Sequence, residues 1–149
     1  MIALGCDSAG FELMQAVKGF LDEQNINYVD FGAYNNESSD YPLFAREVAK
    51  AVLDGRANRG ILICGTGIGI SIAANKFTGI RCALCHDVFS ARACRSHNDA
   101  NVLAMGGRVI GKGLALEILA AWLAEGFSGE ERHLRRIGML ETNLGGEYV

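Results

Sequence analysis

Proline is almost absent from this chain of 149 residues, occurring once at Pro42, and tryptophan also occurs once. With so little proline and no internal repeat, collagen-like and proline-rich linker architectures are excluded. No apolar run approaches the roughly 20 residues that a bilayer-spanning helix requires, and Met1 leads into Ile-Ala-Leu-Gly without a basic segment. Neither a spanning helix nor a signal peptide is expected, and the compartment read from this is the cytoplasm. Lysine and arginine form no block, and the net charge is -3, which argues against non-specific binding to nucleic acid or an anionic membrane. The expected partner is a small molecule. The five cysteines, at positions 6, 64, 82, 85 and 94, are odd in number and scattered, so they fit a reducing compartment better than a disulfide framework. Cys82-Ala-Leu-Cys85-His86 resembles half a zinc site, but it lacks a second ligand pair and reads as a strand. No metal and no cofactor are expected.

Glycine, by contrast, is abundant at 19 residues, and half of the composition is hydrophobic. One core of ordinary size is within reach of such a chain, and residues 1–149 read as a single domain. Short apolar runs at Ile2 to Gly5, Tyr28 to Phe31, Gly60 to Cys64, Ile80 to Cys85 and Asn101 to Met105 read as strands. Helical patterns lie between them, at Phe11 to Asp22, Leu43 to Leu53, Ile70 to Lys76, Val88 to Ser96 and Leu114 to Ala124. The alternation predicts an α/β fold whose parallel strands are covered on both faces, a three-layer α/β/α sandwich of Rossmann-like type. A last helical pattern, Glu130 to Leu140, follows the Gly126-Phe-Ser-Gly129 break and has no strand after it. Ligands of such sheets bind at the carboxyl ends of the strands.

Three segments converge there: Gly5-Cys6-Asp7-Ser8-Ala9-Gly10, the loop carrying Asp40-Tyr41-Pro42, and Cys64-Gly65-Thr66-Gly67-Ile68-Gly69. A glycine loop between a buried strand and a helix can aim free N–H groups at a phosphate or a developing oxyanion, or it can simply make a tight turn. Cys64, at the end of its strand, is either a small buried hydrophobe or a thiolate base held beside those donors. His97 is either a helix-terminal histidine near the negative end of the dipole or a proton shuttle in the His97-Asn98-Asp99 cluster. Arg132 and Arg136, one turn apart, form either a solvated face or a phosphate clamp.

Taken together, Gly5-Cys6-Asp7, Asp40-Tyr41-Pro42, the string Ile63-Cys-Gly-Thr-Gly-Ile-Gly-Ile-Ser-Ile-Ala-Ala-Asn-Lys76, His97-Asn98-Asp99 and Arg132-His133 resemble the ribose-5-phosphate isomerase B family over nearly the whole chain. The resemblance implies a five-stranded parallel sheet of order 2-1-3-5-4, where the generic order would be 2-1-3-4-5. It also implies a homodimer or dimer of dimers with shared active sites, to which the C-terminal helix (about 130–141) contributes. The activity implied is metal-free aldose-ketose isomerisation of a sugar phosphate through a cis-enediolate. In that family Cys64 falls at the base, Thr66 at a hydroxyl that assists proton transfer, and Gly65, Gly67 and Gly69 at the amide loop. His97 matches the group that opens the sugar ring, helped by Asp7. Asn98 and Tyr41 match substrate contacts, and Arg108, Arg132 and Arg136 the phosphate ligands, with Arg108 reaching a neighbouring subunit's site. Relatives that use a loop glutamate as base have it where this chain has Ile70, which points to the cysteine-base type. One departure stands out: Ser8 replaces a histidine that usually follows the aspartate. The galactose-6-phosphate isomerase relatives also depart there, but their catalytic-type subunit lacks the Cys64-Gly-Thr-Gly67 string kept here, so the resemblance makes ribose 5-phosphate the first expected substrate, with a hexose 6-phosphate (allose or galactose 6-phosphate) or a free sugar as alternatives. A flavodoxin-like module that binds phosphate or a nucleotide without catalysis is the non-enzymatic alternative, since it would need the glycine loop but neither Cys64 nor His97.

Overall fold

The computed structural model describes residues 1–35 and 37–142. Five strands, β1 (Ile2–Cys6), β2 (Tyr28–Asp30), β3 (Arg59–Cys64), β4 (Cys82–Leu84) and β5 (Val102–Gly106), alternate with α1 (Phe11–Glu23), α2 (Tyr41–Leu53), α3 (Ile68–Ala74), α4 (Val88–Asn98) and α5 (Lys112–Ala124), and α6 (Glu131–Glu141) follows. All strand pairs are parallel. Their order is β2-β1-β3-β5-β4, the order implied by the resemblance.

Side chains alternate across each strand, and β1 and β5, which flank the central β3, are buried on both faces. Ile61 and Ile63 of β3 join Leu4, Leu103 and Met105 in a core with α1 and α5, centred on Trp122 and the Leu13, Met14, Val17 and Leu21 stripe of α1. Leu62 and Cys64 face the opposite way, into a second core with Val48, Ala49, Ile70 and Ala74 of α2 and α3. The direction of the Cys64 side chain is thus a consequence of strand parity.

The observed elements shift several expected boundaries. The predicted strand Ile80 to Cys85 contracts to three residues, and just before it a side chain takes over a backbone group: Arg81 N–H donates to Asn101 Oδ1 at 2.8 Å. Helix α2 starts at Tyr41, not Leu43, since Pro42 sits in the first turn, where a missing N–H costs nothing. Tyr41 therefore belongs to a helix and not to a loop. Helix α3 runs from Ile68 to Ala74 in place of Ile70 to Lys76, and α4 continues to Asn98, past the expected Ser96.

Candidate active site

Between the parallel strands β1 and β3, where the order of strand addition across the sheet reverses, Cys6 is in register with Ile63 and the Asp7 N–H donates to the Ile63 carbonyl at 3.2 Å. This brings Asp7 to the strand end beside Cys64, in the crevice that open α/β sheets use for ligands. Asp7 Oδ1 accepts from the Gly10 N–H at 3.0 Å, which fixes the carboxylate at the entry to α1. Ser8 is half-buried in the same turn.

The Cys64 side chain is 4% exposed, and the Gly67 N–H donates to its Sγ at 3.2 Å. Gly67 adopts φ +76°, a left-handed conformation open to glycine, and a Cβ there would stand 2.4 Å from Leu84 Cδ1. Among the described residues the N–H groups of Gly65 and Thr66 donate to no acceptor, so they are free to face a ligand. The exposed Thr66 hydroxyl oxygen accepts from the Ile68 N–H at 3.2 Å. Gly69 is where Tyr41 closes on the loop, since an added Cβ would meet the phenol ring at 2.6 Å. Arg108 donates its N–H to the Gly65 carbonyl at 3.0 Å, and its side chain runs past Gly65. It lies against the loop of its own copy. Tyr41, Leu43, Ile68, Ile72 and Val109 surround this end of the sheet with exposed apolar groups.

The other cysteines lie away from the glycine loop. Burial, then the Asp30 carboxylate, pushes the Cys6 thiol up to about 12, and burial likewise raises Cys82. Cys85 Sγ donates to Cys94 Sγ at 3.9 Å, and this bond raises Cys85 and lowers Cys94.

His97 and Asn98 are brought to a different place. Cys64 pairs with Gly106 at one end of the β3–β5 ladder and Gly60 with Val102 at the other, a separation of about 13 Å at about 3.3 Å per residue. Helix α4 ends beyond the Val102 side, so within one chain the thiol and the imidazole do not converge. No pocket of a single copy holds both, because a helix that returns the chain for a parallel strand must end at the opposite edge of the sheet.

What holds this second end is a charged network that local sequence patterns do not display. Buried Arg95 donates to Asp99 Oδ1 at 2.8 Å and to the Ala100 carbonyl at 2.7 Å. Arg81 donates to the Asn98 carbonyl at 2.9 Å and also pairs with Asp99 and with Glu141 of α6. Only the i, i+4 spacing of Arg95 and Asp99 offers a signal in sequence. His133 of α6 is buried and stacks on His97, with ring centroids 4.5 Å apart. Arg132 and Arg136 are exposed on the same helix, Arg132 pairing with Glu130 at 2.8 Å. A cavity of about 740 Å³ opens here between β4, α4 and α6, with Asn98 in its wall. Among the described residues no group of three or more His, Cys, Asp or Glu side chains is placed to hold a metal ion. No helix of the described residues is long and apolar enough to cross a membrane.

Comparison with known proteins gives a consistent set of relatives. The sequence profile of the Ribose/Galactose Isomerase family matches residues 2–140. Ribose-5-phosphate isomerase B of Escherichia coli is 49% identical over 136 residues, which cover 91% of this chain and 91% of that protein. D-erythrulose-4-phosphate isomerase of Pectobacterium atrosepticum is 46% identical over 130 residues, covering 86% and 85%. Among solved structures, ribose-5-phosphate isomerase B of Clostridium thermocellum superposes with a TM-score of 0.92 at 49% identity, covering 94% of each chain.

Proposed function

The chain belongs to the ribose/galactose isomerase family, and on that premise we propose that this aldose-ketose isomerase interconverts ribose 5-phosphate and ribulose 5-phosphate with Cys64 as its base. The observation that carries the reading is the buried strand-end thiol receiving the Gly67 N–H at 3.2 Å. The thiolate takes the proton from C2 of the open-chain aldose. Negative charge then develops on O1 of a cis-enediolate, where the free Gly65 and Thr66 amides of the glycine loop stabilise it. The proton is returned to C1, while the Thr66 hydroxyl passes the other between O1 and O2. A base of this kind contributes about 10²–10⁴-fold in rate, or about 3–5 kcal/mol of barrier. No cofactor enters this scheme.

The sites are shared between two copies of the chain. One copy supplies Asp7, Ser8, Tyr41, the Cys64 to Gly69 loop and Arg108. The other supplies His97 and Asn98 for ring opening and sugar contact, with Arg132 and Arg136 for the phosphate. Two observations support this: the separation of His97 from Cys64 in one chain, and the exposed apolar groups around the Cys64 loop. Residues 1–149 act as one isomerase domain, with α6 contributing to the dimer. Free thiols at all five cysteines fit a cytoplasmic enzyme.

A second reading concerns the length of the sugar. A relative at 46% identity is named for a four-carbon sugar phosphate, and Ser8 leaves room where the family's usual histidine is bulkier, so hexose 6-phosphates belong in the same assay. Incubation with ribose 5-phosphate should form ketose, and no ketose from any aldose phosphate sinks the proposal. Mixing inactive Cys64→Ala and His97→Asn proteins should restore about a quarter of wild-type activity, because half the dimers then hold one intact site. Mixtures as inactive as their components would confine the site to one chain.

A further inference from the structure

The His97 ring is exposed on α4, and its inner face is covered by the His133 ring of α6, nearly parallel at 11° with centroids 4.5 Å apart. His133 is 5% exposed, and its buried Nε2 has no hydrogen-bond partner among the described residues. An aliphatic side chain would fill such a contact between helices without stranding a nitrogen. The interaction that needs a flat ring is the stack itself. Helix α6 is also tied to the end of α4 at its other extremity, where Glu141 accepts from the Gly79 N–H at 3.1 Å and pairs with Arg81, the residue that holds the Asn98 carbonyl and Asp99.

We propose that His133 is a positioning residue, whose ring fixes the plane of the His97 imidazole so that the nitrogen-bearing edge of His97 is presented to a cyclic sugar phosphate. The inference rests on the ring-opening role of His97. In that step the anomeric O1–H gives up its proton, the bond from C1 to the ring oxygen breaks, and the ring oxygen takes a proton, leaving the C1 aldehyde. Nothing is oxidised or consumed. A base and acid that must serve two oxygens on one sugar has a narrow range of useful orientations, and a stacked neighbour removes rotation out of the plane while leaving the edge free. Burial holds the His133 imidazole below the ordinary histidine value, with His97, Arg132 and Arg136 acting in the same direction and Glu130 against it. The stack therefore does not place two imidazolium rings face to face at neutral pH.

Ring opening can be measured apart from isomerisation, because the two anomers of ribose 5-phosphate interconvert only through the open chain. The parent protein is full-length Cys64→Ala, in which proton transfer at carbon is blocked, and the readout is the anomer exchange rate by NMR magnetisation transfer. The parent should accelerate exchange, and adding His97→Asn should remove the acceleration. His133→Leu, which fills the same volume without a flat face, should reduce it by about 10- to 100-fold, and His133→Phe should retain it. Exchange in His133→Leu as fast as in the parent overturns the positioning role alone. So does His133→Phe as slow as His133→Leu, since the nitrogens and not the stack would then matter. A parent that gives no acceleration overturns the ring-opening reading of His97, and the inference with it.

Discussion

Replacing Gly67 by alanine should damage both the fold and the chemistry, by amounts that follow from its position. An L-residue at φ +76° costs about 1–2 kcal/mol. The added Cβ would also stand 2.4 Å from Leu84 Cδ1 and 2.8 Å from the Met105 carbonyl carbon. Leu84 can turn aside, but Met105 is backbone of the buried strand β5, so about 1–3 kcal/mol of overpacking is added. The sum, about 2–5 kcal/mol, corresponds to a fall of about 1–2 M in the urea midpoint at typical slopes for a domain of this size. The loop that relieves the clash also carries the N–H that reaches Cys64 Sγ. Losing a hydrogen bond to a charged group costs about 1.5–3 kcal/mol, which predicts kcat lower by about 10- to 100-fold. Gly19→Ala is the internal control. It lies within α1 with nothing within 4 Å of an added Cβ, and alanine should stabilise that helix by about 0.5–1 kcal/mol. Equal urea midpoints for the two variants, or undiminished turnover in Gly67→Ala, would refute the reasoning about the left-handed loop.

Cys64→Ala should lower kcat by about 10²–10⁴-fold or more with little change in the circular dichroism spectrum, and near-wild-type turnover would remove the thiol from the mechanism. Arg132→Ala and Arg136→Ala should each raise KM for ribose 5-phosphate more than for unphosphorylated ribose; an unchanged KM ratio would return both to a solvated helix face. Stability should also depend on pH through His133. Its folded-state value is depressed below about 6.5 by burial, so the unfolded chain binds the extra proton more readily, and the stability involved is full above about pH 6.5 and is lost as pH falls through the folded value. The urea midpoint of the wild type should drop between about pH 7.5 and about pH 5.5, and that of His133→Phe should drop less. Asp87, lowered chiefly by the Ser90 N–H, acts only below the carboxylate range and does not confuse this window.

How much of this was legible in advance depended on whether the information was local. The Gly60 to Cys64 run, apolar at every position, read correctly as a strand buried on both faces, and the abrupt glycines after it located the loop that bears the thiol. Strand and helix periodicity report which face of an element is buried, and that is settled within a few residues. Helix ends were less legible: Pro42 reads as a breaker, yet in a first turn it is neutral, and α2 begins before it. Strand order was not contained in the local pattern at all, which by itself favoured 2-1-3-4-5; the order 2-1-3-5-4 came through likeness to a family and was met in the sheet. The chain by itself determined the α/β alternation, the strand-end thiol and its amide loop, because each rests on neighbours in sequence. Only the tertiary structure decided that His97 stands at the far end of the sheet from Cys64, that Arg81, paired with Glu141, braces the end of α4 at Asn98 and Asp99, and that His133 lies flat against His97. Those relations join residues 17 to 60 positions apart, and their distances are set by the packing of helices on a sheet, which no local periodicity encodes.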